Sequence, residues 1–212
     1  MSPSPDSPGL ADRFVLASAS PARLATLRAA RADPRVVVSG VDESGVEAAG
    51  PAALALELAR LKAVAVAALP EQADAVVLGC DSVLELDGEI HGKPAGAAEA
   101  TARWRRMRGR TGVLHTGHWL VDNRAGADAG AAAATTVHFA DVTDAEIAAY
   151  VATGEPLHVA GAFTVDGLGG AFVTRIEGDH HNVVGVSLPL LRRLLADLGL
   201  SWTDVWRTPA RD

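Results

Sequence analysis

Three short apolar runs alternate with two alanine-rich segments in the first part of the chain. The runs RFVLAS, RVVVSGV and DAVVLG are nearly continuous, which is typical of strands that are buried on both faces of a parallel sheet. Between them we predict one helix from about Pro21 to Ala32 and a second from Pro51 to just before Pro70. Strands joined by helices in this way form βαβ units, so the sequence predicts an α/β protein.

The rest of the chain predicts antiparallel strands and further helices. VLELDGEI alternates around a tight turn at Asp87-Gly88, and VLHTGHWLVD and TTVHFADV are strands joined by the low-complexity loop NRAGADAGAAAA. GAFVTRI is a last strand, and helices are predicted over ATARWRRMRG, DAEIAAYVA and SLPLLRRLLADLG. The prediction is therefore a mixed, twisted sheet that is flanked by helices.

Composition limits the classes of function. Of the 212 residues 49% are hydrophobic and only 4% aromatic, so the core must consist mainly of Ala, Val and Leu. The formal net charge of −7 argues against a nucleic-acid-binding face, while a small polyanion could still bind where local basic residues or a metal supply the countercharge. No apolar run approaches the ~20 residues that span a bilayer, so we expect no membrane partner.

The ends of the chain and its single cysteine add three expectations. The start has neither an apolar signal core nor a basic leader, and Cys80 alone cannot form an internal disulfide, so we expect a cytoplasmic protein. The Pro/Ser-rich start predicts a disordered tail over residues 1–12. One domain over residues 13–199 and a C-terminal extension over residues 200–212 follow it.

Polar residues follow each of the three apolar runs. They are Ser18, Ser20 and Arg23 after the first run, Asp42 and Glu43 after the second, and Asp81 and Ser82 after the third. Ligands of open α/β sheets bind outside the carboxyl ends of the strands, so we expect the three clusters to meet at one edge. Carboxylates hold Mg²⁺, and the metal holds phosphate oxygens. The combination predicts a metal–polyphosphate site.

The stretch LASASPAR has two interpretations. In the first, Ser20 caps a helix and Pro21 fills its first turn. In the second, the amides of the helix start, the serine hydroxyls and Arg23 hold a phosphate group. The sequence of this stretch leaves both open.

Only two of the 19 basic residues are lysine, Lys62 and Lys93. A chain so rich in arginine indicates that these two positions need a compact ammonium. Lys62 projects from the apolar stripe of its helix, where a stem that lies along the edge of the core is an equally good interpretation. Lys93, in GEIHGKPAG, is also compatible with an ordinary charge after a hairpin.

Other motifs carry less weight. GEIHGKPAG is not a P-loop, because its glycines enclose three residues rather than four and Pro94 replaces the Ser or Thr that binds Mg²⁺. His115 and His118 would point to opposite faces of a strand, which disfavours a zinc site. The arginine run between Arg103 and Arg110 is typical of a solvated helix face, with contact to a triphosphate as the alternative.

Seven stretches of the chain resemble the Maf family of nucleoside triphosphate pyrophosphatases, which are also described as septum-formation proteins. In order along the chain they are LASASPAR, VDE, LARLKA, GCDSV with LDGEIHGKP, RMRGRTGVLHTG, VHFADVTDAEIAAYVATGEPLHVAGAF and GDHHNVVGVSLPLL. Together they span about residues 13–199, so the resemblance covers nearly the whole chain.

The resemblance implies a mixed α/β fold, similar to that of inosine triphosphatases, with two lobes around a central cleft. It further implies a homodimer that uses Mg²⁺ or Mn²⁺ to hydrolyse a nucleoside triphosphate to the monophosphate and pyrophosphate, with removal of modified or non-canonical nucleotides as a role. By position, Asp81 matches the general base that aligns the attacking water, and Glu43 and Asp81 match the metal site. The matching phosphate-binding positions are Ser18, Ser20, Arg23, Lys62 and Lys93.

Three positions that the family associates with the substrate base carry Ala22, Ser82 and Asp166. They differ from the Arg, Thr and Gln that are typical of the subfamily associated with dTTP and UTP. Only the acidic Asp166 agrees with the Trp, Gln and Glu of the subfamily that acts on 7-methyl-GTP. A carboxylate can accept hydrogen bonds from the amino edge of guanine, so we expect a modified purine or a broad substrate range.

Two other classes of protein stand as alternatives. A nucleotide-binding, non-catalytic regulator of cell division or septum formation would not need the full set of acidic and lysine residues. A structural α/β module would use the polar residues at the strand ends only as caps and turns, and it would not bind nucleotide with a metal.

Overall fold

The computed structural model describes residues 9–207, and within this range it contains seven strands and seven α-helices. The strands are β1 (Phe14–Leu16), β2 (Arg35–Val36), β3 (Val76–Leu86), β4 (Glu89–His91), β5 (Thr111–Asp122), β6 (Ala127–Phe139) and β7 (Val173–Glu177). The helices are α1 (Leu10–Arg13), α2 (Pro21–Ala29), α3 (Pro51–Ala67), α4 (Ala97–Met107), α5 (Asp144–Ala152), α6 (His180–Val184) and α7 (Leu188–Asp197). Short 3₁₀ turns cover Pro70–Gln72, Glu155–His158, Ala160–Ala162, Leu168–Phe172 and Trp202–Val205.

All seven strands belong to one mixed sheet. Six of them follow the order β2-β1-β3-β5-β6-β7, and β4 pairs with the second half of β3. The strands β2, β1 and β3 are parallel, whereas β3, β5, β6 and β7 pair antiparallel. Helices cover both faces of the sheet, so the predicted mixed α/β fold is confirmed.

β3 is longer than the sequence pattern predicts. DAVVLG and VLELDGEI contribute to a single strand of 11 residues, and Asp81 and Ser82 lie in its middle. The prediction that these two residues follow the carboxyl end of a strand is therefore wrong. The strand continues through them because each polar side chain finds a partner from a helix that packs on the sheet, Lys62 for Asp81 and Arg23 for Ser82.

One edge of β3 is interrupted by an open segment. β5 pairs with β3 from Val76 to Glu85 and occupies one edge along nearly the whole strand. On the other edge β1 pairs only with Val76–Leu78, and β4 pairs only with Leu84–Leu86. Within the described range, residues 79–83 have no strand partner on this edge. We call this open segment the edge gap. The carboxyl ends of β1 and β4 face it from opposite sides, since Leu16 pairs with Leu78 and His91 pairs with Leu84.

The two halves of β3 carry separate hydrophobic clusters on one face of the sheet. Leu78 and Cys80 pack in a cluster with α7, which contributes Leu191. Leu84 packs in a second cluster with Trp104 of α4. The edge gap lies between the two clusters along β3. The two lobes that the resemblance implies correspond to these two cores, which share one continuous sheet.

α3 covers the opposite face of the sheet at very short range. A Cβ atom at Gly79 would lie 2.2 Å from the carbonyl oxygen of Ala59, and one at Gly117 would lie 2.1 Å from that of Ala55. Any side chain at these two positions would overlap the backbone of the helix, so the close approach requires glycine. It holds the middle of α3 against the part of β3 that contains Asp81.

Two predicted boundaries in the sheet differ from the structure. Of RVVVSGV only Arg35–Val36 pairs as a strand, and both residues are exposed because β2 is the edge strand of the sheet. The predicted loop NRAGADAGAAAA is mostly strand, since β6 begins at Ala127. Its alanines, of which Ala129 and Ala131 pack against the α7 cluster, are small enough to lie beneath a helix. Low complexity here reflects close packing rather than a loop.

The chain ends are partly described. Residues 1–8 of the predicted tail lie outside the described residues, but Leu10 is buried in the core and belongs to α1, so the predicted disorder does not extend to residue 12. Residues 200–207 of the predicted extension pack on the domain, with Val205 fully buried. Residues 208–212 lie outside the described range. Between residues 9 and 207, no helix is both long and apolar enough to cross a bilayer.

Replacement of Gly79 by alanine should destabilise the protein and separate Lys62 from Asp81. The added methyl group would overlap the carbonyl of Ala59, and overpacking of this kind typically costs about 1–3 kcal/mol of unfolding free energy. Urea denaturation of Gly79→Ala against the parent protein measures the cost. Gly50→Ala is the matched control, because a Cβ at that position meets nothing within 4 Å. Equal stability of the two variants would contradict the close approach of α3.

Candidate active site

Lys62 of α3 lies between two carboxylates. Its Nζ is 2.5 Å from Asp81 Oδ1 and 2.8 Å from Glu43 Oε1. The side chains of Lys62 and Asp81 are only 12% and 13% exposed, so solvent screens their contact weakly. Lys62 is thus a largely buried ammonium with two carboxylate partners, and its contact with a phosphate stays a prediction.

Arg23 of α2 is held by three protein acceptors. Its Nε donates to the carbonyl of Gly185 at 2.8 Å, its Nη1 to Ser18 Oγ at 3.1 Å and its Nη2 to Ser82 Oγ at 3.0 Å. Ser82 Oγ in turn lies 2.9 Å from Thr116 Oγ1. A guanidinium carries five N–H groups, so two of them have no partner within residues 9–207 and can serve a ligand.

The start of α2 has the local structure that the sequence predicts. Ser20 Oγ accepts a hydrogen bond from the Arg23 N–H at 3.3 Å and caps the helix, with Pro21 in the first turn. Ser18 Oγ accepts from the Ser20 N–H at 3.2 Å. In these bonds both hydroxyls are acceptors, so each keeps its own O–H donor for a ligand oxygen. The capping interpretation is confirmed, and the phosphate interpretation stays a prediction.

The Lys62–Asp81 contact and the Arg23–Ser82 contact lie on opposite faces of β3. Successive residues of a strand point to opposite faces, so Asp81 meets Lys62 of α3 while Ser82 meets Arg23 of α2. The predicted clusters are therefore brought together across β3 rather than at the ends of three strands. A ligand that enters the edge gap can contact groups on both faces.

Lys93 follows β4 on the far side of the edge gap. β4 ends at His91, opposite Leu84, and runs towards the middle of β3, so the next residues reach the level of the gap. Lys93 is exposed, and it makes no ion pair with any residue in the described range. The topology thus directs the chain after β4 towards the edge gap, and the contact of Lys93 with a ligand there stays a prediction.

Two carboxylates, rather than the three that the sequence predicts, meet at the site. Asp42 is not among the carboxylates that pair with Lys62; it is exposed and accepts the Ser44 N–H at 2.9 Å, and its hydrogen bonds with Ser44 lower the pKa of its carboxyl group. Across the described residues no group of three or more His, Cys, Asp or Glu side chains could hold a metal ion. Glu43 and Asp81 still fit Mg²⁺ or Mn²⁺, because Mg²⁺ often takes one or two protein carboxylates and completes its shell with water and substrate phosphates.

The three positions predicted to recognise the base lie in different surroundings. Ala22 is in the first turn of α2, whereas Ser82 is hydrogen-bonded to Arg23. Asp166 is exposed and lines a cleft of about 440 Å³ between α2, α6 and the start of α7. The remaining residues of this cleft are Ala25, Thr26, Ala29, Ala30, His180, His181, Val184 and Leu188. Ser82 therefore contacts Arg23, whereas Asp166 lines a mainly apolar cleft, and its role in recognition of the base stays a prediction.

Glu155 is a candidate functional residue that the sequence analysis missed. Its carboxylate accepts from the hydroxyls of Tyr150 at 2.9 Å and Thr164 at 2.5 Å, and from two backbone N–H groups of the next loop at 3.0 Å. Burial acts to raise the pKa of Glu155, but these hydrogen bonds outweigh burial and lower it. The loop contains Asp166, so Glu155 fixes the predicted base-recognition segment. The glycine-rich run GLGG was the available signal, since a Cβ at Gly167 would lie 2.6 Å from Glu155 Oε2.

The two histidines of HTGH have separate protein partners. His118 Nε2 accepts the Ser187 N–H at 2.7 Å, which leaves its proton on Nδ1, 3.0 Å from the carbonyl of Thr116. His115 Nε2 lies 2.9 Å from Glu85 Oε2. Burial, with a further contribution from the positive charge of Arg23, lowers the pKa of His118 to about 4. His118 is therefore a neutral link between β5 and the start of α7.

These contacts define a class of protein: a mixed α/β protein with an edge site that offers two carboxylates to a cation and basic groups to an anion. The model described as "Maf-like protein" matches residues 13–198 of the chain. The chain therefore belongs to the Maf family, as the resemblance of its motifs predicts.

Close relatives cover nearly the whole chain. A protein of Streptomyces coelicolor named nucleoside triphosphate pyrophosphatase is 62% identical over 200 residues, which are 94% of this chain and 97% of the relative. A protein of the same name from Salinispora tropica is 65% identical over 197 residues, which are 92% of this chain and 87% of the relative.

The free energy of unfolding should fall as the pH falls from about 6.5 to about 4. The pKa of His118 is about 4 in the folded protein, against about 6.5 when unfolded, so in this window the unfolded chain binds the proton and the folded chain does not. This group alone contributes a slope of up to about 1.4 kcal/mol per pH unit. Urea denaturation at about pH 7, 6 and 5 measures the slope.

His118→Gln removes the titrating group, so its slope of stability against pH should be shallower than that of the parent protein. His158→Gln, which makes the same substitution at an exposed position, is the matched control. A parental slope in His118→Gln would show that His118 does not stay neutral in the folded protein.

Proposed function

We propose that this protein hydrolyses nucleoside triphosphates between the α and β phosphates and releases a nucleoside monophosphate and pyrophosphate. The proposal rests on the edge gap, which has Lys62, Asp81 and Glu43 on one face of β3 and Arg23 on the other. The name of the relatives, nucleoside triphosphate pyrophosphatase, supports the same reaction.

The charges at the edge gap suit a polyphosphate that arrives with a cation. The group of Lys62, Asp81 and Glu43 holds two negative charges against one positive, so by itself it attracts a cation. Arg23 and Lys93 add positive charge from the other face and from the far side of the gap. Solvent screens the charges of Lys62 and Asp81 least, because these two side chains are largely buried, whereas Glu43 and Lys93 are exposed.

A divalent cation, Mg²⁺ or Mn²⁺, is part of the proposal. Glu43 and Asp81 would hold it through carboxylate oxygens. When bound, it would neutralise charge on the phosphate oxygens and on the leaving pyrophosphate. The ammonium of Lys62, which these carboxylates hold in the structure, would then neutralise a phosphate oxygen of the substrate.

Asp81 is the general base of the proposed reaction. A water molecule that attacks the α-phosphorus must lose a proton, and the half-buried carboxylate in the middle of β3 can accept it. The bond from the α-phosphorus to the bridging oxygen breaks, and its electron pair leaves with pyrophosphate. Arg23, Lys62 and Lys93 stabilise this charge, since such reactions depend mainly on positioning and on electrostatic stabilisation.

The finer parts of the proposal concern the base and the assembly. Asp166 is the acidic group at the cleft beside α2, and a carboxylate accepts hydrogen bonds from the amino edge of guanine. On this ground we propose a modified purine or a broad range of bases as substrate. The proposed protein is a cytoplasmic homodimer, and its net charge of −7 supports the absence of nucleic-acid partners.

Asp81→Asn should lower turnover by about 10²- to 10⁴-fold, because an amide cannot accept the proton of the attacking water. The assay uses a panel of canonical and methylated nucleoside triphosphates with Mg²⁺ or Mn²⁺ and measures pyrophosphate and orthophosphate separately. Asp42→Asn is the matched control, since Asp42 neighbours Glu43 in the chain but makes no ion pair with Lys62.

Each outcome of this assay has a distinct meaning. Pyrophosphate release by the parent and Asp42→Asn proteins, but not by Asp81→Asn, would support the proposed reaction. The nucleoside triphosphates that are hydrolysed would identify the preferred nucleobase. Orthophosphate alone would indicate a different phosphatase chemistry. Nucleotide binding without any turnover would instead support the non-catalytic regulator.

Lys62→Arg should reduce kcat/KM about tenfold or more, and more strongly than Lys93→Arg. The side chain of Lys62 is only 12% exposed and its ammonium contacts two carboxylates, so a larger planar guanidinium should disturb these contacts, whereas Lys93 is exposed. Steady-state kinetics of both variants with the best substrate of the panel measure the difference. Full activity of Lys62→Arg would show that the site does not require a compact ammonium.

A further inference from the structure

Arg103 is the buried member of the arginine run on α4. Only 5% of the residue is exposed, whereas Arg105, Arg106 and Arg110 are exposed and pair with surface carboxylates. The predicted solvated face is therefore wrong for Arg103. Its guanidinium is turned inward because two acceptors lie there, the carbonyl of Gly92 at 2.6 Å from Nη1 and the carboxylate of Glu99 beside Nη2.

The Arg103–Glu99 pair forms hydrogen bonds with the backbone on both sides of Lys93. Arg103 holds the carbonyl of Gly92, which directly precedes Lys93. Glu99 accepts the N–H of Ala95 at 2.8 Å through its second oxygen, and this hydrogen bond lowers the pKa of its carboxyl group. The backbone on both sides of Lys93 is thus fixed to one ion pair.

α4 gives the pair a rigid base in the second core. Trp104, the neighbour of Arg103, is fully buried, and its Nε1 donates to the carbonyl of Ala162 at 2.7 Å. The 3₁₀ turn Ala160–Ala162 also holds the chain next to Lys93, since the Gly161 N–H donates to the carbonyl of Gly92 at 3.0 Å. The turn therefore has little freedom to move relative to the core.

We infer that the Arg103–Glu99 pair is a positioning device that sets the backbone of Lys93 for contact with the phosphates of the substrate. The inference rests on the proposed function and adds residues to its site. Lys93 has a flexible side chain without a protein partner in the described range, so the place its ammonium can reach depends on the backbone of the turn. Fixing that backbone in advance reduces the ordering cost of binding.

The geometry favours positioning over direct electrostatic attraction by Arg103. Its positive charge is already paired with Glu99, so the pair has little net charge to offer a triphosphate. A role in stability alone is a weak explanation of the pair, because Glu99 is 47% exposed and ion pairs with a solvent-exposed partner contribute little. The specific result of the pair is that both flanks of Lys93 are held.

The test is a double-mutant cycle with Arg103→Lys, Lys93→Ala and the combined variant, assayed for kcat and KM with the best nucleoside triphosphate of the panel. Arg103→Lys keeps the charge but lacks the planar fork that reaches two acceptors. We expect it to raise KM about tenfold, and to add no further effect when Lys93 is already alanine. Arg105→Lys, on the same helix but paired with Asp144, is the matched control.

Glu99→Ala is a second variant that should fold, because the position is in the exposed first turn of α4 and alanine favours helix. It should also raise KM only when Lys93 is present. Additive effects in the two backgrounds would overturn the inference, since Arg103 would then act independently of Lys93. An active parent protein that is unaffected by Lys93→Ala would overturn it as well. An inactive parent protein would overturn the proposed function and the inference with it.

Discussion

The contact between α3 and the sheet is the constraint on which the site depends. Gly79 and Gly117 let the helix backbone occupy the space of a missing Cβ, and this approach brings the ammonium of Lys62 to Asp81. Burying these two charges is costly, and only close contact between them offsets the loss of hydration. A side chain at either glycine would move the helix and leave a half-buried carboxylate without its partner. Stability and site chemistry therefore depend on the same packing.

The long strand β3 converts this local contact into a site with two sides. Its continuous pairing with β5 gives one rigid edge, while the separate pairings with β1 and β4 leave the middle of the other edge open. Residues at this opening face both layers of helices in turn, so consecutive side chains recruit partners from opposite faces. The α7 cluster includes Leu27 of α2, the helix that carries Arg23, whereas α3, which carries Lys62, packs through Val66 in a third cluster with Val77 of β3. A polyphosphate at this place can be contacted from several directions without a deep cavity.

The sequence predicts those parts of the structure that are determined locally. The predicted cap at Ser20 and the predicted hairpin turn at Asp87-Gly88 are confirmed, because short-range hydrogen bonds and backbone preferences determine them. Thr143 and Ser187 cap α5 and α7 in the same way. The full length of β3 could not be predicted, because two polar residues end an apolar pattern unless their tertiary partners are known. The candidate site residues could be identified from their types and positions in the sequence. Their division between the two faces of the sheet could not, because it depends on β3 continuing as one strand through Asp81 and Ser82. Arg103 shows the same limit, since its burial depends on a carbonyl and a carboxylate that helical periodicity does not reveal.

The division of work between arginine and lysine follows from the shapes of the two side chains. Arginine occupies all but two of the 19 basic positions, and at Arg23 and Arg103 its planar fork joins acceptors on separate segments of the chain. Such a group is well suited to fixing backbone, but most of its donors are already used. Lysine occurs at two positions with different surroundings, since the ammonium of Lys62 contacts two carboxylates and Lys93 is exposed after β4. The arginines thus fix the backbone around the site, and in the proposed function the two ammonium groups contact the phosphates of the substrate together with the donors that Arg23 keeps free.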